Sequence, residues 1–73
     1  MRTYHFDIFS DGAAATEVAE AADDDAAIRQ ALLLLSEILR DRALSNERAI
    51  TVELAVRDSD GRALWTGSAK GGP

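Results

Sequence analysis

One histidine, thirteen carboxylates and no cysteine set the chemistry open to this 73-residue chain. His5 and Asp7 stand two apart in a stretch that alternates as a strand, so they share a face and form a candidate acid–base dyad. A Ser-His-Asp arrangement would also need a serine positioned against His5, and nothing marks Ser10 or Ser68 for that role. A single histidine on the polar face of a strand is read as a solvated side chain. No catalytic residue is assigned, and the chain is expected to be non-enzymatic. A small enzyme or ligand-binding protein using His5 and Asp7 is the alternative.

Metal and phosphate chemistry find no better footing. Asp58-x-Asp60-Gly61 has the opening of a calcium loop, but Arg62 stands where another oxygen ligand is needed and no Glu closes the loop. It is read as a turn. Asp23-Asp24-Asp25 cannot converge on one ion from consecutive helical positions, and is read as a helix start. Glycines occur at Gly12, Gly61, Gly67 and Gly71-Gly72, in neither a dinucleotide-binding nor a phosphate-loop pattern. No metal and no cofactor is therefore expected.

These residues must be carried by short elements. Thr3 to Phe9 alternates as a half-buried strand, with Tyr4, Phe6 and Ile8 on one face and Thr3, His5, Asp7 and Phe9 on the other. Ser10-Asp11-Gly12 is a turn. Thr16 to Ala21 suits a second strand or a helix. From Asp23 to Leu44 the pattern is helical, with an acidic cap. Ala27, Ile28, Ala31, Leu32, Leu34, Leu35, Ile38 and Leu39 line one arc, and Leu33 lies among polar residues on the opposite side. Ser45-Asn46-Glu47 reads as a connection. Ala49 to Arg57 is the clearest strand, with Ile50, Val52, Leu54 and Val56 facing the core. Asp58-Ser59-Asp60-Gly61 turns the chain into a final strand, Arg62 to Ser68.

Turn length decides where Trp65 points. A three-residue loop pairs Val56 with Leu64 and Ala55 with Trp65, putting the indole on the open face. A two-residue turn pairs Val56 with Trp65 and buries it, since a one-residue slip swaps faces.

The totals narrow the class. Seventy-three residues make one domain, expected over residues 1–70 with a disordered tail at 71–73. The net charge of −5 and the scattered arginines speak against nucleic-acid binding. No apolar run approaches the roughly 20 residues of a membrane span, and the N-terminus lacks a signal-peptide pattern. A soluble, cytoplasmic, bacterial protein is expected, without a membrane partner. The fold class expected is two-layer α+β, in the order β(β)αββ, with one helix on a three- or four-stranded, mainly antiparallel sheet.

Tyr4-x-Phe6 leading to Asp11-Gly12, the Ala/Leu-rich helix after an acidic cap, and Asp58-x-Asp60-Gly61-Arg62-x-Leu64 together resemble a family. It is a group of small uncharacterised proteins, a domain of unknown function found in rhizobia and related alphaproteobacteria. The likeness runs from about Met1 to Ser68, but alanines after Gly12 replace the family's usual Asp/Gly-containing second strand. The family pattern of an apolar residue three after the second turn glycine matches Leu64. That implies the three-residue loop, with Leu64 in the core and Trp65 exposed. The family brings no established activity. The chain is also loosely similar to HicB-like antitoxins, a regulatory-partner alternative, although it lacks their Pro-Asp-Leu-Pro-Gly stretch.

One small helix covers one face of a sheet, so the other is open to water or a partner. Phe9, Ala55 and Trp65 on that face, with Leu33 on the helix, are the candidate interface residues. Protein–protein contact is the function expected, with a homodimer through the open face or an unidentified protein as partner.

Overall fold

A computed structural model describes residues 1–45 and 49–71, in the order β1 (Arg2–Ser10), β2 (Ala13–Ala21), α1 (Asp24–Leu44), β3 (Ile50–Asp58) and β4 (Ala63–Gly71). The four strands form one antiparallel sheet in the order β2-β1-β3-β4, with the helix on one side. The α+β arrangement read from the sequence is thus the fold, with four strands. The ambiguous Thr16 to Ala21 segment lies within β2. Asn46, Glu47, Gly72 and Pro73, read as part of a connection and a tail, lie outside the described residues.

Turn chemistry sets both hairpins. Asp11 and Gly12 hold φ of 51° and 81°, a two-residue turn with both residues left-handed, and Ser10 pairs with Ala13 across it. Such a turn matches the twist of the strands it joins. The second hairpin closes on a three-residue loop. The Asp58 amide donates to the Arg62 carbonyl, and the Gly61 amide donates to the Asp58 carbonyl. Gly61 takes φ of 84°, which only glycine holds without strain. The Asp58 carboxylate folds back to accept from the amides of Asp60 and Arg62 at 3.0 and 2.9 Å. Both bonds fall on Oδ1, which therefore serves the turn.

The expected loop length is present, but the expected pairing beyond it is not. Arg57 pairs with Ala63 and Val56 with Trp65, so Leu64 is an extra residue in a β-bulge. The register moves by one, and Trp65 lies on the helix side of the sheet instead of the open face. Both Leu64 and Trp65 are half-buried against the core. The bulge brings two neighbouring apolar side chains to the same side, which strict alternation would have divided between faces. The indole lies along the strand over Gly67, where a β-carbon would come within 2.3 Å of the ring.

The core occupies the centre of the sheet. Tyr4 and Phe6 from β1 and Val52, Leu54 and Val56 from β3 pack under Ala27, Ala31 and Leu35 of the helix. Ala27 and Ala31 are fully buried, and their small side chains let the helix backbone approach β3 closely. Asp23 caps the helix, its carboxylate accepting from the Ala26 amide at 2.8 Å. Polar ties hold both helix ends. The Tyr4 hydroxyl donates to Asp24 at 2.7 Å, and Arg42 reaches Asp11 in the first turn at 2.7 Å. Burial, reinforced by the Asp24 carboxylate, raises the Tyr4 phenol above its ordinary value. Leu33 is exposed, as its angular position implies, but Leu32 departs from the expected arc and is 49% exposed. It stands at the margin of the stripe, beyond the sheet's reach.

Candidate functional site

The face opposite the helix is built by alternation in four strands. Thr3, His5, Asp7 and Phe9 of β1 share it with Ala14, Thr16, Val18 and Glu20 of β2, because Phe9 pairs with Ala14 and Thr3 with Glu20. On the other side, Asp7 pairs with Ala55 and Phe9 with Glu53. Thr66 and Ser68 follow on β4, opposite Ala55 and Glu53.

Asp7 stands near the middle of this lattice. Arg57, diagonal to it on β3, donates from Nε at 2.5 Å and from Nη2 at 3.0 Å, a two-pronged contact. Thr16, directly opposite on β2, donates its hydroxyl at 2.7 Å. Arg57 first, then Thr16, holds the Asp7 carboxyl below its usual 3.8, and the same pairing raises the guanidinium. A carboxylate whose lone pairs are occupied in this way is a poor proton acceptor.

His5 lies between Val18 and Arg57 in the next row of pairs. Its Nδ1 is enclosed and has no hydrogen-bond partner among the described residues. The expected dyad is therefore on one face, but Asp7 is engaged by Arg57 and Thr16. Alternation alone puts Arg57 on the same face as Asp7, whereas Thr16 arrives there through the β1–β2 register, in a segment the sequence left between strand and helix. What sequence reading lacked was the β1–β3 register that sets Arg57 diagonal to Asp7. Among the described residues no group of three His, Asp or Glu side chains is placed to hold a metal ion.

Exposed apolar side chains stand on either side of this polar centre. Phe9 is 50% exposed and Val18 63% exposed. Phe9, Glu53, Ala55, Thr66 and Ser68 line an open depression of about 360 Å³. The small β4 side chains leave room beside the phenyl ring, and the sheet backbone makes the floor. Of the expected interface residues, the structure brings Phe9 and Ala55 together here. Trp65 is on the other side of the sheet, and Leu33 is on the outer surface of the helix, 65% exposed.

Fold and surface together define a small α+β domain with a helix on one face of its sheet and the other face open. The chain belongs to a domain-of-unknown-function family, DUF6894, whose family model matches residues 3–70. No curated protein and no solved structure matches it. No helix among the described residues is long and apolar enough to cross a membrane.

Proposed function

We propose that the protein is a non-enzymatic binding module whose open sheet face docks a protein partner. The observation that carries this reading is Phe9, half exposed beside a depression floored by the sheet. Exposed aromatic side chains next to a depression are usual anchors of protein contacts. The engagement of Asp7 by Arg57 and Thr16 supports a non-catalytic role for the polar centre. There it orders the surface around Phe9. Arg2, Arg42 and Arg57 each face a carboxylate, an arrangement that favours a protein over a nucleic acid as partner.

Capture from native lysate with the wild-type chain and with Phe9→Asp tests the proposal. The variant places a charge at an already exposed site, so its circular dichroism should match wild type. A protein retained by wild type is expected to be lost from the variant. Its addition should broaden the amide resonances of Asp7, Phe9, Ala55 and Thr66. Identical capture by the two chains, or broadening confined to the helix, would sink the proposal.

A further inference from the structure

Among the described residues the sheet ends in two unpaired edges of nine residues each, β2 and β4. Along such an edge alternate residues turn their N–H and C=O groups outward, a template that proteins block or fill. The two edges differ in charge. β2 carries Glu17 at its centre and Glu20 near its end, so self-pairing about the centre would set Glu17 against its own copy. Like charges directly opposed across a ladder are destabilising. β4 carries Lys70 alone, close to its end.

The helix is also asymmetric above these edges. Gln30 donates to the Glu20 carbonyl of β2, so that flank of the helix faces β2. Leu32 lies about 200° around the helix from Gln30, at about 100° per residue, and so looks the other way, over β4. Its neighbours on that flank, Ile28 and Leu39, are only half-buried, as are Leu64 and Trp65 below them. An apolar strip thus runs along the same side as the nearly uncharged edge.

We propose that β4 pairs with β4 of a second copy of this chain, antiparallel about a two-fold axis at Gly67. One continuous sheet results, with four strands from each copy. In this register Thr66 faces the partner's Ser68 and Trp65 faces the partner's Ala69, while Lys70 comes level with the partner's bulged Leu64, the two side chains on opposite sides of the sheet. Small residues oppose one another beside the axis, each indole lies over its own Gly67 and so beside its counterpart, and the two lysines stay apart. The incoming strand also slides beneath Leu32, covering the exposed flank of each helix. The interface is isologous and closes after two copies. This pairing puts self-association at the sheet edge in place of the open face suggested by the sequence, and it leaves both open faces free on one side of the dimer.

The chain has no cysteine, so introduced pairs report cleanly. Thr66→Cys combined with Ser68→Cys sets two pairs of thiols opposite each other, one on each side of the axis, within the roughly 4.4–6.8 Å Cα separation a disulfide needs. Thr16→Cys combined with Val18→Cys is the matching pair on β2. Mild oxidation of the full chain at micromolar concentration should give a covalent dimer from the β4 pair, and only background from the β2 pair. Sedimentation should show a wild-type dimer whose dissociation constant rises at least tenfold in Leu32→Glu and is unchanged in Phe9→Asp. The latter result keeps the dimer separate from the docking role of the open face. Equal cross-linking of both pairs, a wild-type chain that stays monomeric at high micromolar concentration, or a dimer broken by Phe9→Asp and not by Leu32→Glu would overturn the proposal.

Discussion

At the scale of single residues, Asp7 links the polar face to stability. Its carboxyl is held below 3.8 by Arg57 and Thr16 in the folded protein. A group whose folded value lies below its unfolded one stabilises the fold above the unfolded value and loses that contribution as pH falls through the folded one. Thermal unfolding should therefore show wild type more stable than Asp7→Asn at neutral pH, with the gap narrowing as pH drops below about 4. The difference between the two curves isolates Asp7 from the other carboxylates. Parallel curves down to pH 2 would show that the Arg57 contact contributes nothing to folding. Asp7 and His5 were legible as neighbours because strand alternation is a local property. The hold of Arg57 on Asp7 was not legible, because it spans 50 positions of sequence and depends on how β1 and β3 register.

At the scale of elements, β4 departs most from simple alternation. Its bulge adds Leu64 and shifts Trp65 to the helix side, where the ring covers Gly67. A side chain at Gly67 has to displace the indole, and a crowded core contact of this kind costs about 1–3 kcal/mol. Gly67→Val is expected to lower the melting temperature by several degrees and to shift tryptophan emission to the red as the ring moves into water. Unchanged emission would place the indole elsewhere. By contrast, the helix was plain in the sequence from its Asp23-Asp24-Asp25 start and apolar stripe. Both signals lie within one turn or two of the chain, and the structure starts the helix at Asp24. The bulge has no such local signature, and the Asp58 to Gly61 turn is equally compatible with a straight ladder beyond it.

For the whole molecule, charge sets the terms of association. Each chain carries −5, so two copies repel one another at long range. Salt screens such repulsion over roughly 8–10 Å at physiological strength. Pairing through the sparsely charged β4 edge should therefore tighten as salt rises from about 20 to about 300 mM, measured by sedimentation. A dimer that weakens with salt would point to ion pairs in the interface and away from β4. The same acidity separates the two edges, since β2 carries its glutamates where a partner strand would lie.

The amino-acid sequence by itself determined β1, the helix with its acidic cap, β3 and β4 in that order, the turns at Gly12 and Gly61, and the existence of one uncovered sheet face, and it left β2 between strand and helix. Each of these follows from periodicity or backbone freedom over a few neighbouring residues. Tertiary structure alone decided that β2 is a strand and which of its side chains share that face, how Arg57 reaches Asp7, and where Trp65 lies. Those outcomes depend on strand register, and a single extra residue in a ladder, here Leu64, reverses the side to which everything beyond it points.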